Sequence, residues 1–445
     1  MPPTQAQPIN FRANARRALA DRDLQSALKQ AESGFVDKRA KAITDLPDFE
    51  ALRVHGESVK NHTLEFLDTY LEQFERNFTA SGGQVHWAGS AEQACEAVLE
   101  ICRSQGAERV IKAKTMAGEE VGINDAMESA GLTVTESDLG EYIIQIAGEP
   151  PSHIIAPAVH KTRDQVTALF ERHHGKPEGT SGQRAIGDLV DEARQRLRAR
   201  FLEADVGISG ANFLVAETGT AVLVTNEGNA DLSTTLPRVH IILAGIEKLV
   251  PHLDDATAML RLLGRSATGQ AMTAYTTFIT GARRPDDVDG PEAVHIILID
   301  NGRADMLGGP YQPMLRCIRC GACLNHCPVY ASVGGHAYGW VYQGPMGSVL
   351  TPLFTGLDHA SALPDACTLN GRCRTVCPVR IPLPDMLRNL RADAYQAGIG
   401  ARTTRWALRL WSLAARRPRL YHWGAAAVIG LMSRLGRRRG RWHRL

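Results

Sequence analysis

Cys317-Ile-Arg-Cys320-Gly-Ala-Cys323-Leu-Asn-His-Cys327-Pro328 is the stretch on which the rest of the chain is read. Its spacing, C-x2-C-x2-C-x3-C-P, is that of the bacterial iron–sulfur run. Each two-residue gap is one tight turn, so three thiolates can wrap one cube-shaped cluster. Gly321 sits where a bulky side chain would crowd that cluster, and it lets backbone amides face the sulfurs. In two-cluster ferredoxins the cysteine before Pro ligates the other cluster, so a second run is expected. It is present as Cys367-Thr-Leu-Asn370-Gly371-Arg-Cys373-Arg-Thr-Val-Cys377-Pro378. Crossed ligation gives a first [4Fe-4S] cluster the set Cys317, Cys320, Cys323 and Cys377. The second cluster is left with Cys327, Cys367 and Cys373. The second run departs from the full spacing, because Asn370 stands where a fourth cysteine is asked for. Three thiolates suit a [3Fe-4S] cluster, or a [4Fe-4S] cluster with one iron open or oxygen-ligated. Zinc usually takes two separated C-x2-C knuckles instead. A single cluster, with the second run structural, is the other reading of the missing ligand.

Working outward, a chain of 445 residues has room for two or three domains. Its 44% hydrophobic and 22% charged residues are ordinary for a globular protein. Cys95 and Cys102 alone lie outside the cysteine region, in a helical-looking segment, and read as buried structural thiols. Thiols committed to iron imply a reducing compartment. The first eight residues, Met-Pro-Pro-Thr-Gln-Ala-Gln-Pro, lack the apolar core of a signal peptide. No stretch reaches about 18 apolar residues, so no membrane span is expected and the reading is cytoplasmic. From Gly400 onward there are 12 Arg and no acid, which leaves the remainder of a chain of net charge +2 acidic, at −10. An acidic body with a basic tail argues against nucleic acid as partner. It suits the tail to docking on another protein or peripherally on a membrane surface.

Residues 1–80 read as a helical N-terminal region, with Leu64, Leu67, Leu71 and Phe74 at helical spacing and Pro47 dividing two helices. Residues 81–305 read as an α/β domain. Val85–Trp87, Val110–Ile111, Leu132–Thr135, Tyr142–Ala147 and His153–Ile155 are expected strands, with helices at Ala91–Ser104 and Asn124–Ala130 between them. Residues 180–202 form an amphipathic helix. The two apolar runs around Thr218-Gly219 signal a hairpin between Phe213 and Thr225. Val239–Leu243 and Val294–Ile299 are further strands, and Leu249–Gly264 a helix. Residues 306–395 are the helical ferredoxin-like domain, closing with a helix that Asp385 caps. Residues 396–445 are two or three short basic helices carrying Trp406, Trp411, Trp423 and Trp442.

Polar clusters stand beside the expected strand ends. They are Lys112-Ala-Lys114 with Glu119-Glu120, Asp138 with Glu141, His153 with His160-Lys161, Glu217-Thr-Gly219-Thr220, and Asn226-Glu227-Gly228-Asn229. In open α/β sheets ligands bind outside the carboxyl ends of the strands. Lys112 and Lys114 would suit a small carboxylate there, while solvated lysines, capping acids and turn glycines account for the same residues equally simply. No Gly-rich nucleotide fingerprint, P-loop or G-x-S-x-G motif is present.

Asp138-Leu-Gly-Glu-Tyr-Ile-Ile-Gln, Pro151-Ser-His-Ile-Ile-Ala-Pro-Ala, Glu217-Thr-Gly-Thr and Asn226-Glu-Gly-Asn ahead of the cysteine runs give the chain a family resemblance. Over roughly residues 20–400 it resembles the lactate utilization protein B family, iron–sulfur proteins with an LUD domain. The resemblance implies an α/β LUD domain of the NagB/RpiA/CoA-transferase-like fold. It also implies a complex with LutA-like and LutC-like subunits that oxidises L-lactate to pyruvate, its electron acceptor unassigned. Two departures accompany it. Asn370 stands where such proteins usually carry Cys, with Cys367 nearby, and the sequence stops short of a Trp- and Pro-containing tail. The leading function is therefore an iron–sulfur electron-transfer subunit. Two other classes compete with it. One is a self-contained isomerase or acyl-transfer enzyme with structural clusters and Glu217 as nucleophile or base. The other is an iron–sulfur nucleic-acid binder using the Arg tail.

Overall fold

A computed structural model describes residues 9–175, 184–435, 437–439 and 442–444. Packing separates the chain into two units, Met1–Leu390 and Arg391–Leu445. The first opens with four helices, α1 (Phe11–Ala20), α2 (Arg22–Thr44), α3 (Phe49–Glu65) and α4 (Leu67–Ala80). Asn10 and Asp21 start α1 and α2 by accepting hydrogen bonds from Ala13 N and Leu24 N. Pro47 stands in the break between α2 and α3, where its missing amide does no harm. Leu67, Leu71, Phe74 and Phe78 form the buried stripe of α4. That stripe belongs to a core continuous with the strands and the cysteine region.

Ten strands follow in the same unit: β1 (Gln84–Ala88), β2 (Arg109–Lys112), β3 (Thr133–Glu136), β4 (Val206–Gly210), β5 (Phe213–Val215), β6 (Thr220–Thr225), β7 (Val239–Gly245), β8 (Leu249–Val250), β9 (Tyr275–Ile279) and β10 (Ala293–Ile299). Six of them form a parallel sheet in the order β1-β10-β7-β4-β2-β3. Every residue of β7 is buried, as a parallel strand covered on both faces requires. The order reverses at β2, with β3 on one side and β4 on the other, which sets a crevice at the carboxyl ends of these strands. The hairpin β5–β6 forms as expected, and lies in a smaller mixed sheet, β8-β5-β6-β9.

Several expected elements differ. Tyr142–Ala147 is helical, part of Leu139–Ala147. Its apolar run fits a buried strand or a buried helix, but Asp138 caps it through Glu141 N and Gly148 ends it in the left-handed region. His153–Ile155 is a bend between Pro150-Pro151 and Pro157, its Ile155 and Ala156 amides bound to His153 Nδ1 at 3.0 and 3.1 Å rather than to a neighbouring strand. The Leu249–Gly264 segment begins as β8, and its helix runs Leu253–Ala267 after Pro251. The helix expected over 180–202 is seen as Ile186–Glu203, residues 180–183 lying outside the described ones. Asp385 lies inside the helix Leu383–Gln396, where it pairs with Arg374 and Arg388 instead of capping.

The second unit contains the helices Arg402–Ala415 and Pro418–Leu435 and an antiparallel strand pair, Arg437–Arg439 with Trp442–Arg444. Trp406, Trp411 and Trp423 are exposed. Among the described residues no helix is long and apolar enough to cross a membrane.

Candidate iron–sulfur centres and the cavity beside them

The two cysteine runs follow the same backbone path, position for position. Arg319 and Leu369 both hold φ of 56°, and Gly321 and Gly371 hold 74° and 81°. A short helix follows each glycine, Ala322–Asn325 and Arg372–Val376, and each run closes on Cys-Pro. The left-handed residues double the chain back so that its thiols converge. At a non-glycine position that conformation costs roughly 1–2 kcal/mol, which the surrounding packing must offset. Gly321 also has a positive φ of 74°, and a β-carbon on it would stand 3.2 Å from the Ile155 side chain, which would have to give by a few tenths of an ångström.

Cys317, Cys320, Cys323 and Cys377 line one void, whose other walls include Ile154, Met314, Ile318, Met346 and Ile381. Cys327, Cys367 and Cys373 form a second group, each within electrostatic reach of the other two. Among the described residues no three of these thiols hold their sulfurs within 4.8 Å of one another. A tetrahedral zinc with Zn–S near 2.3 Å would need sulfurs about 3.8 Å apart. The spacing leaves room for a larger inorganic core. Burial, and then the neighbouring thiols, push Cys320 up to about 12. Burial likewise takes Cys377 up to about 11, although amides at Ile381 and Val379 oppose it. Buried sulfurs such as Cys320 and Cys377 can be charged together only around a cationic group, as iron would be. Backbone amides already point at sulfurs of both groups: Leu369 N–H donates to Cys367 at 3.3 Å and Ile381 N–H to Cys377 at 3.4 Å. Such bonds tune cluster potentials.

Residue 370 breaks the repeat in chemistry but not in geometry. Ala322 N–H donates to the Cys320 sulfur. The equivalent amide, Arg372 N–H, donates to Asn370 Oδ1 at 3.1 Å. The asparagine oxygen thus takes the hydrogen bond that the thiol takes in the first run. Asn370 is exposed, whereas Cys320 is buried.

The first run is locked to the α/β domain by a buried charge network. Arg303 Nη1 and Nη2 donate to the two oxygens of Glu120, each at 2.8 Å, and its Nε donates to Glu247 at 2.5 Å. Arg319 donates to the other Glu247 oxygen at 3.3 Å and lies over the Tyr342 ring at 4.6 Å. Tyr342 donates its hydroxyl to Glu120 at 2.6 Å. Burial works against charge on Glu247, but the Arg303 and Arg319 guanidinium groups outweigh it and hold the carboxyl at about 2. The loop after Gly148 adds a second seam. Tyr330, Gln343 and His336 donate to the carbonyls of Ser152, Pro151 and Pro150 at 2.7, 2.9 and 2.8 Å. At the second run, α2 and α3 contribute: Arg39 donates to Val376 O at 2.8 Å, and Arg53 to Cys377 O at 3.0 and 2.7 Å.

Beside the first thiol set lies a cavity of about 280 Å³ at the carboxyl ends of β2, β4 and β7. It gathers some of the sequence-flagged polar residues, namely Lys114, Asp138, Asn226, Glu227 and Asn229. Others serve the fold. Lys112 is fully buried between Glu119 at 2.9 Å and Glu136 at 2.8 Å. His153 bonds Asn325 at 2.9 Å, and burial takes it down to about 4. His160 and Lys161 share Glu149 at 2.8 and 2.5 Å. Glu217, the nucleophile of the self-contained-enzyme reading, is exposed, accepts from Leu253 N at 3.1 Å and does not line the cavity. Sequence reasoning missed Lys248, Arg303, Arg319 and Tyr342, which do line it. Lys248, just past the end of β7, had a usable signal in that position; the others are far away in sequence. Cys95 and Cys102 are buried thiols in the helix Ala91–Ser104, both raised to about 11 by burial.

The LUD domain family matches residues 71–299 and the 4Fe-4S dicluster domain family residues 313–381. The chain is 41% identical to lactate utilization protein B of Lysinibacillus sphaericus, over 92% of this chain and 86% of that one. It is 42% identical to lactate utilization protein B of Shouchella clausii, over 95% of this chain and 88% of that one. A crystal structure of a DUF162 family protein from Deinococcus radiodurans aligns with 52% of this chain and 98% of its own, at 16% identity and a TM-score of 0.30.

Proposed function

The chain belongs to the lactate utilization protein B family, and from that premise we propose that it is the iron–sulfur electron-transfer subunit of a cytoplasmic complex that oxidises L-lactate to pyruvate with LutA-like and LutC-like subunits. The observation that carries the reading is the void walled by Cys317, Cys320, Cys323 and Cys377, residues drawn from both runs, next to the LUD-domain cavity. We assign those four to a [4Fe-4S] cluster, and Cys327, Cys367 and Cys373 to a second cluster of [4Fe-4S] or [3Fe-4S] type. Such clusters, when bound, take up and hand on single electrons. The chain's own residues do the rest. Met314, Ile318, Met346 and Ile381 keep water from the first set, and amide donors set its hydrogen bonding. The network of Arg303, Glu120, Glu247 and Arg319 fixes that set against the LUD domain. The Arg-rich tail, with exposed Trp406, Trp411 and Trp423, supplies a surface for a partner subunit or a membrane face.

The test is anaerobic purification with iron and sulfide counting, then addition of L-lactate with and without the partner subunits. The expected result is a brown protein whose absorbance bleaches with lactate only when the partners are present. Robust lactate dehydrogenation by the single chain with an artificial acceptor would overturn the subunit assignment.

A further inference from the structure

The cavity beside the first thiol set has features that electron carriage does not need. Its mouth is polar and open, with Asn226 and Glu227 exposed. Its floor is cationic. Arg303 and Arg319 are buried there, but Glu120 and Glu247 already match their charges. Lys248 does not fit that balance. It lines the cavity, is partly buried, and has no hydrogen bond or ion pair among the described residues, while Glu247 beside it is occupied by both guanidinium groups. Lys114 Nζ, on the same cavity, is buried without a hydrogen bond, its nearest carboxylate oxygen being that of Glu141 at 3.5 Å. A partly buried ammonium without a hydrogen-bond partner is stabilised by an anion that joins it. Lys248, so placed, and Lys114, held only by Glu141, line one concave site where the strand order reverses, the usual place for a ligand in an open parallel sheet.

We propose that this cavity binds a small organic monocarboxylate, with Lys248 as its counter-charge. Resting on the lactate reading, the natural occupants are the 2-hydroxy acid or its 2-oxo product. The volume, about 280 Å³, falls just under the usual range of about 300–1,000 Å³ for drug-sized ligands and suits a small metabolite. Location adds a consequence. Ile154 and Arg319 line both this cavity and the void among the four thiols. One layer of side chains therefore separates a bound carboxylate from the first cluster's ligands. Arg319 carries its own hydrogen bond to Glu247, so the anion is left to Lys248 and the polar groups above it.

The experiment is isothermal titration calorimetry on the full, iron-loaded chain, without partner subunits, using L-lactate, pyruvate and neutral lactamide. Saturable binding of the two carboxylates and none of lactamide is expected. Lys248→Gln should weaken carboxylate binding at least about tenfold, the loss of one charge-assisted hydrogen bond, at unchanged iron content. Pyruvate should also shift the electron paramagnetic resonance spectrum of the reduced first cluster in the wild type and leave the variant's unchanged. Equal binding of lactamide and lactate by the wild type would overturn the site, whatever the variant's folding. So would equal carboxylate affinity of wild type and Lys248→Gln. If lactate bleaches the three-subunit mixture while this chain binds no carboxylate, the site fails and the electron-carrier reading stands. Carboxylate binding without any bleaching would give the reverse.

Discussion

Cys320 and Asn370 occupy the same place in two copies of one backbone path. The third residue of each run is left-handed, the fifth is a left-handed glycine, and a short helix and Cys-Pro follow. The first copy is buried in the main core and tied to the LUD domain through Arg319. The second is more open, with Thr368, Asn370, Arg372 and Arg374 placed toward solvent. The loop keeps its shape where Asn stands in place of Cys, because the shape comes from the glycine and the turn rather than from the thiol. The difference between the copies is therefore one of surroundings and of a single donor atom.

The largest effect is expected from Cys320→Ser. A hydroxyl is a much weaker ligand for iron than a thiolate, and this sulfur sits in the continuous core. Iron and sulfide should fall by the whole first cluster, and thermal unfolding should come earlier. Cys367→Ser should remove only iron of the second site. Equal losses from the two substitutions would end the distinction between the copies, and a colourless wild type with stoichiometric zinc would end the iron–sulfur reading. Next comes Glu247→Gln. It leaves Arg303 and Arg319 buried without their shared carboxylate, a change worth about 3–5 kcal/mol in comparable buried pairs. Denaturant unfolding of the iron-loaded protein measures it. A loss under about 1 kcal/mol would mean that the first run is held by packing alone.

How much of this was legible in the sequence depends on range. Cysteine spacing is a local pattern, so both runs and their asymmetry at 370 could be read directly. So could β7 and β10, whose apolar runs are near-continuous. The run Tyr142–Ala147 misled because periodicity does not separate a short buried helix from a buried strand, and only Asp138 and Gly148 at its ends decide. The bend at 153–155 was hidden for another reason. Its hydrogen bonds go to the His153 ring and to residues such as Tyr330, far along the chain. The cavity was half visible. Lys114, Asp138 and Asn226 stand beside strand ends, but Arg303, Arg319 and Tyr342 reach it only through the tertiary fold.

A smaller effect is expected from Arg374→Ala in the second run. Arg374 meets Asp385 at 3.0 Å, but both side chains are well exposed. Exposed pairs contribute about 0–1 kcal/mol and are screened by salt. The unfolding midpoint should move little, and less still at high salt. A loss comparable to that of Glu247→Gln would show the second run to be as firmly built into the fold as the first.

Asn370→Cys should change folding stability least, yet it probes the comparison most closely. The Asn370 oxygen already accepts the Arg372 amide, as the Cys320 sulfur accepts that of Ala322. A thiol at 370 would leave the β-carbon in the direction that Cys320 takes in the first run. The second site, with Cys327, Cys367 and Cys373, would then have a fourth soft donor in place of a hard one. An iron without a thiolate is held less tightly and is open to oxidant. Air should therefore convert the wild-type second site to a three-iron form while the Cys317, Cys320, Cys323 and Cys377 site survives longer, and Asn370→Cys should suppress that conversion. Electron paramagnetic resonance of air-treated wild type and variant reads this directly. If both give the same three-iron signal with the same time course, residue 370 does not face the second cluster. The shared backbone path would then extend to the loop but not to the direction of its side chains.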